Sequence, residues 1–218
     1  MKLSLTLVVL LLVFVFAGVA LASVTTHTYV APPGWSLMGL KGIPLDPDPV
    51  SVFGSEEIID SKLIRWNAVA QGMHTYNMFD PELFGNILFT DGYWLDNISG
   101  SNETISFSGL NDNDTMDIWV SLPKQGWTMI GYPFSYPFLW KNAKVTDGNT
   151  TKSLYDASQW GANWISSVGF GWDEVGQGMF DIGIEEYDYP MEVSLRPWHG
   201  YWIESKVDKT ALILESIP

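Results

Sequence analysis

Cysteine is absent from this chain of 218 residues. Its absence excludes disulfides, thiolate zinc sites and a cysteine nucleophile. A chain of this length can bury enough apolar surface to fold without disulfides. Aromatic residues make up 14% of the sequence, with 11 tryptophans, so the side chains for such a core are present.

Basic residues are scarce. There are 11 Lys and Arg against 25 Asp and Glu, which gives a net charge of -14 at pH 7. An acidic protein repels phosphate backbones and anionic bilayers, so we expect no nucleic-acid partner. Neutral glycans, cations and basic proteins stay compatible with this charge, which also favours solubility in an extracellular medium.

A long apolar run occurs once, at the amino terminus. Lys2 precedes an apolar stretch from Leu3 to Val19, and Ala20-Leu21-Ala22 follows as a small-x-small cleavage site. The alternative is an uncleaved anchor, because the run is near the ~18 residues that span a bilayer. The cleavage site, with no basic cluster after it, favours a signal peptide at 1–22. We therefore expect a secreted or cell-surface protein with no membrane span after processing.

The strongest signal in the sequence is an internal duplication. The segment Gly34–Leu40 recurs as Gly126–Tyr132, Trp66–Met73 as Trp172–Met179, and Gly92–Leu95 as Gly200–Ile203. The three matches keep their order, and their separation grows only through insertions. The sequence predicts a first repeat over 23–110 and a second over 111–218.

Most of the matched segments have the pattern of strands. Ile105-Ser106-Phe107 alternates apolar and polar residues, and Gln71-Gly72 suits a turn or bulge in a hairpin. Only 50–61 and 151–160 are suited to short helices. We expect an all-β fold with few short helices, built from duplicated β-sandwich or barrel-like units or from one pseudo-twofold sandwich.

The order of these motifs resembles a tandem repeat of secreted and cell-surface proteins of bacteria and archaea. In that group a unit opens with a Gly-Trp-x-Leu-x-Gly strand and closes with Gly-Tyr-Trp-Ile, as at Gly34–Gly39 and Gly200–Ile203 here. The resemblance implies adhesion or glycan binding. The copies differ in the loops near the aromatic strands, where Pro197-Trp198-His199 replaces Thr90-Asp91, so two equal binding sites are not expected.

Oxygen-rich side chains gather between the two repeats. Asp112, Asp114 and Asp117 lie in one Asx-rich run and are candidate ligands for a structural calcium ion, although the run lacks the glycine and distant glutamate of an EF-hand. A solvated turn is the alternative. Four sequons are candidate glycosylation sites, which would make the protein a glycoprotein: Asn97, Asn102, Asn113 and Asn149. The alternative is that these segments are plain polar turns.

No catalytic signature is present in the sequence. The three histidines are scattered, and there is neither a metal-binding histidine pair nor a Gly-x-Ser-x-Gly elbow. A glycosidase needs two opposed carboxylates, and the candidates are Asp173, Glu174, Glu185, Glu186 and Asp188. In so acidic a chain we interpret them as solvated surface residues, and we expect a protein that is not an enzyme.

Aromatic side chains are the better functional indication, because sugar rings stack on them. We expect the tryptophans shared by both repeats to build the core and the unshared aromatics to be exposed. The candidate ligand-binding residues are therefore the unshared ones: Tyr136, Trp140, Trp160, Trp164, Tyr187, Tyr189 and Trp198.

Three functions remain open at this stage. The first is a non-catalytic carbohydrate-binding module whose partner is a polysaccharide or surface glycan. The second is a structural or adhesive cell-surface subunit that associates with itself or with other surface proteins through edge strands. The third is a glycan-cleaving enzyme.

Overall fold

The fold is all-β with few short helices, as predicted. The structure is a computed structural model. It describes residues 24–110, 112–184 and 192–216, without the side chains of 112 and 113. The predicted signal peptide therefore lies outside the described residues. The described strands assemble into open, antiparallel sheets of sandwich-like units.

Two sheets come from the first half of the chain. One has the order β1-β7-β3, with β1 at Val24–Ala31, β7 at Glu103–Leu110 and β3 at Ile43–Pro44. The other has the order β2-β6-β4-β5, with β2 at Gly34–Met38, β6 at Tyr93–Asn97, β4 at Leu63–Asn67 and β5 at Gly72–Thr75.

The second half repeats this arrangement. One sheet has the order β12-β11-β17-β8, with strands at Thr151–Ser153, Lys144–Thr146, Thr210–Leu214 and Ile118–Leu122. The other has the order β14-β13-β16-β9, with strands at Gly178–Ile182, Gly169–Asp173, Gly200–Ser205 and Gly126–Gly131. The short strands β10 (Phe138–Leu139) and β15 (Ser194–Leu195) form a further pair.

Helices are short and fall where the sequence predicts them. They span Pro49–Phe53, Glu56–Ile59 and Leu154–Ser158, and single 3-10 turns lie at Pro81–Leu83, Asp112–Thr115 and Trp140–Asn142. The side chain of Asp48 accepts hydrogen bonds from the backbone N–H of Val50 and Ser51, and Ser153 accepts from Asp156. Such caps satisfy N–H groups in the first turn of these two helices, whereas Glu56–Ile59 has no side-chain cap.

Each half of the chain has its own apolar core. The first core lies between Tyr29 and Phe107, and the second between Ile118 and Leu214. Side chains of one half also pack against the core of the other: Trp198 packs against the first core, and Phe89 packs against both. The halves are therefore separately packed and joined by a few reciprocal contacts.

The halves approach each other closely at a pair of matched glycines. A Cβ added to Gly39 would lie 2.5 Å from the Cα of Gly131, so only glycine permits this approach. Around the pair, Gly39 N–H donates to the carbonyl of Trp198 at 3.1 Å and Gly131 N–H donates to that of Thr90 at 2.8 Å. The contacts on the two sides of the junction are thus pairwise equivalent.

Candidate functional site

The shared tryptophans do not build the core, so the prediction that they do was wrong. All six are only partly buried, and they gather in two clusters at the junction between the halves. The reason is the strand period. In β16 the side chains of Tyr201 and Ile203 face the core, so Trp202 between them must point to the opposite face.

One cluster forms a shallow hollow that is open to solvent. This Trp202 hollow is lined by Trp66, Trp127, Phe170, Met179 and Trp202 and has a volume of about 320 Å³. The rings of Trp66 and Trp202 meet edge to face with centroids 5.0 Å apart, and those of Trp127 and Phe170 lie 5.6 Å apart. Aromatic pairs of this geometry are mutually stabilising. The hollow is thus a preformed apolar surface.

Residues of both halves build the hollow. Within the second half, Trp202 lies between two neighbouring strands. Its partner on β13 is Phe170, and its partner on β9 is Met129. Trp66 arrives from the β4–β5 hairpin of the first half, and its indole N–H donates to the carbonyl of Trp127 at 2.7 Å. This bond holds the Trp66 ring in place without occupying its faces.

The other cluster is the counterpart of the hollow. Trp172 from the β13–β14 hairpin lies 5.0 Å from Trp94, which lies 6.1 Å from Trp35. The indole N–H of Trp172 donates to the carbonyl of Trp35 at 2.7 Å. The residue opposite Trp94 on β4 is Ile64 rather than a phenylalanine, so this cluster has one aromatic ring fewer.

A glutamine at the tip of each hairpin locks the two halves together. The backbone N–H of Trp127 donates to Gln71 Oε1 at 2.9 Å, and Gln71 Nε2 donates to the Trp127 carbonyl at 2.9 Å. Gln177 makes the same two bonds to Trp35. Gln71 has a left-handed backbone with φ of 54°, at the Gln71-Gly72 step where the sequence predicts a turn or bulge. We call the two hydrogen bonds of each glutamine a clamp. Because the clamp needs an amide side chain of this length, a glutamine occupies this strained position.

Two of the aromatics predicted to be exposed pack into the fold instead. Trp140 is fully buried in the second core, with 0% exposure, and its indole N–H donates to the carbonyl of Ser167 at 3.1 Å. Trp198 packs on the rings of Tyr29 and Phe107 in the first half, with centroids 5.6 Å and 6.1 Å away. Trp140 therefore cannot present a ring to a ligand, and Trp198 serves as a contact between the halves.

The remaining predicted aromatics lie apart from one another. Trp164 and Tyr136 are partly buried against the second core; Lys152 Nζ lies over the Trp164 ring at 4.3 Å, and Tyr136 stacks on Phe134. Trp160 is 99% exposed at a turn. Tyr187 and Tyr189 lie outside the described residues. The five candidates that the structure describes do not form a shared platform, and the Trp202 hollow was not predicted from the sequence.

The carboxylates proposed for calcium make protein contacts where they are described. Asp114 accepts hydrogen bonds from the N–H of Ser135, at 2.8 Å, and from its hydroxyl, and Asp117 accepts one from the N–H of Ser216 at 3.0 Å. The side chain of Asp112 is not described. Within 24–110, 112–184 and 192–216 no group of three or more His, Asp or Glu side chains could hold a metal ion. A calcium site here stays a prediction.

The sequons differ in accessibility. Asn97 is only 6% exposed, and its Nδ2 donates to the carbonyls of Ala31, at 3.0 Å, and Ser101, at 2.7 Å. The folded chain therefore leaves no room for a glycan on Asn97, and that prediction is corrected. Asn102 and Asn149 are exposed in loops, and the side chain of Asn113 is not described. Use of these sequons stays a prediction.

Glu174 is not simply a solvated surface residue. It accepts a hydrogen bond from the hydroxyl of Tyr29 in the other half. Burial is the largest cause that raises the pKa of Tyr29, and the neighbouring Glu174 carboxylate raises it further. The contact is therefore one between a neutral phenol and a carboxylate, and it joins the two halves.

In the described part of the chain, no helix combines the length and the apolar character that crossing a membrane requires. Comparison of the chain with family models, with curated proteins and with solved structures gave no match.

Proposed function

We propose that this chain is a secreted, non-catalytic binding protein that holds carbohydrate in the Trp202 hollow. The observation that supports it most is the hollow itself, an open apolar depression walled by three tryptophans and a phenylalanine. Ligand sites are concave, largely apolar and preformed. Burying such rings in the core would be the ordinary outcome of folding, whereas here they are left partly open to solvent.

Carbohydrate fits the chemistry of this surface better than the other ligand classes. Sugar rings present apolar C–H faces that pack against indoles, and uncharged glycans are not repelled by a protein of net charge -14. The resemblance of the Gly-Trp and Gly-Tyr-Trp motifs to those of secreted proteins agrees with a role outside the cell.

Retention on insoluble polysaccharides, followed by titration of intrinsic tryptophan fluorescence, tests the proposal. We expect retention on at least one member of a panel of cellulose, chitin, xylan and mannan. Phe170→Ile, which gives the hollow the composition of its counterpart cluster, and Met179→Ala should both weaken it. Trp160→Ala is the matched control, because this exposed indole lies outside the hollow. Failure of the entire panel to retain the protein, or loss of retention with Trp160→Ala alone, overturns the proposal.

One further observation favours a second function, a self-assembling surface subunit. Strand β8 lies at the edge of its sheet as far as the structure is described, and its second residue, Trp119, is 59% exposed. Edge strands of this kind pair with other chains unless a charge blocks them. Light scattering of concentrated protein should show assemblies that Trp119→Lys disperses. Only monomers at every concentration would contradict this function.

A further inference from the structure

A second cavity lies beside the Trp202 hollow, between the two halves. This Arg65 cleft has a volume of about 360 Å³, and its lining includes Arg65, Trp66, Asn67, His74, Asp91 and Thr128. The first five come from the first half of the chain, and Thr128 belongs to β9 of the second. Unlike the hollow, the cleft has charged and polar side chains in its wall, beside apolar ones such as Leu83 and Met129.

Trp66 is common to the two cavities. This residue lines both the hollow and the cleft. The bond from its indole N–H to Trp127 holds the ring in place. The hollow and the cleft are therefore adjacent at Trp66.

The cleft carries a preorganised pair of charges. Arg65 donates to Asp91 Oδ2 at 2.7 Å and to the carbonyls of Phe84, at 2.9 Å, and Asn86, at 3.0 Å. These three bonds fix the guanidinium of Arg65. The bond to Asp91 uses Oδ2, one of the two carboxylate oxygens. Paired Arg and Asp side chains supply both donors and acceptors, which suits the hydroxyl groups of an uncharged polyol.

A buried hydroxyl in the cleft wall lacks a partner. Thr128 is 6% exposed, and within the described residues its Oγ1 makes no hydrogen bond. A buried hydroxyl without a partner is costly, and such groups are rare in native structures. Ala68 stands here in the position that Glu174 occupies in the other hairpin, so no carboxylate of this hairpin fills the space.

We propose that the Trp202 hollow and the Arg65 cleft hold consecutive units of one uncharged oligosaccharide, with Trp66 between them. The inference rests on the proposed carbohydrate-binding function and adds its ligand class. One unit packs on the indoles of the hollow, and the hydroxyls of the next bond to Asp91, His74 and Thr128. An isolated monosaccharide reaches only one of the two cavities.

Calorimetric titration with cello-, chito-, xylo- and mannooligosaccharides of one to six units tests this proposal. For the series that binds, affinity should rise at least tenfold between one unit and three. Thr128→Val and His74→Ala should reduce the affinity for the trisaccharide several-fold and leave that for the monosaccharide unchanged. Phe170→Ile should weaken binding at every length, and Trp160→Ala should change nothing.

The outcomes separate the two proposals. If Phe170→Ile weakens binding while both cleft variants bind the trisaccharide as the parent does, the proposed role of the cleft is overturned and that of the hollow is retained. A monosaccharide that binds as tightly as the hexasaccharide also overturns the cleft. If no oligosaccharide of any length binds, the carbohydrate function itself fails. Thermal unfolding of each variant shows that it is folded, and Thr128→Val is close enough in shape to keep the wall intact.

Discussion

The side chain of Gln71 brackets the peptide backbone of Trp127, accepting from its N–H and donating to its carbonyl, each at 2.9 Å. The two residues belong to different halves of the chain. One side chain therefore satisfies two backbone groups that no strand neighbour reaches. Gln177 repeats the arrangement on Trp35, so two such clamps hold the junction.

Gln71→Ala should lower the free energy of unfolding by roughly 1–3 kcal/mol, because it leaves the Trp127 N–H without a partner and removes one of the two bonds to the Trp127 carbonyl, which keeps the bond from the Trp66 indole. Gln71→Gly loses the same bonds but relieves the left-handed backbone, so it should be less destabilising than the alanine variant. Urea unfolding monitored by fluorescence measures both. Equal stability of the parent and Gln71→Ala would show that water replaces the clamp.

Trp198→Ala should be strongly destabilising, in contrast to its predicted role as an exposed ligand-binding residue. The ring packs against His27, Tyr29 and Phe107, and truncation of such a side chain costs about 3–5 kcal/mol when fully buried. Partial exposure places the expected loss at or below the lower end of that range. Trp160→Ala is the matched control and should stay within about 0.5 kcal/mol of the parent. Comparable unfolding midpoints for the two variants would contradict the contact role of Trp198.

Thr128→Val should leave stability unchanged or raise it, because it removes a buried hydroxyl that has no hydrogen-bond partner in the described part of the chain. Thr146→Val provides the contrast. The Thr146 hydroxyl is also buried, but it donates to the carbonyl of Thr150 at 3.0 Å and accepts from the N–H of Gly148 at 3.1 Å. That variant should lose about 1–3 kcal/mol. Differential scanning calorimetry compares them, and a clear loss in Thr128→Val would reveal an unseen partner.

Local pattern was enough to predict the strands and the short helices. Alternation at Ile105–Phe107 and the turn residues around the hairpins have direct physical meaning, and the all-β fold followed from them. The same alternation, applied to Gly200–Ile203, would have placed Trp202 opposite the core-facing Tyr201 and Ile203. Recurrence in both repeats is not by itself a sign of burial, because side chains at a junction between repeats recur for their mutual contacts.

The contacts across the junction were beyond reach from sequence. Trp140 and Trp198 are both unshared, but one lies in the core of its own half and the other on the core of the opposite half. The environment of Trp198 depends on how the two units dock, and no local period encodes that. The same holds for the Tyr29 and Glu174 contact, which joins residues from different halves.

Stability should fall as the pH drops through the titration range of His27. This residue is buried, and burial lowers its pKa below the ordinary 6.5, with the charge of Lys41 acting in the same direction. The folded state therefore resists protonation more than the unfolded state does. The stabilising contribution is fully present above pH 6.5 and is lost as the pH falls from there toward the lower folded-state pKa.

Unfolding midpoints of the parent and of His27→Gln between pH 8 and pH 5 isolate this contribution. The difference between the two proteins should be constant above pH 7 and shrink as the pH falls below 6.5, because only the parent carries the titrating ring. The variant loses the stacking of His27 on Phe107, whose ring centroid lies 5.1 Å away, so it should start from a lower midpoint. A difference that stays constant across the whole range would mean that His27 is protonated equally easily in both states, which contradicts its burial.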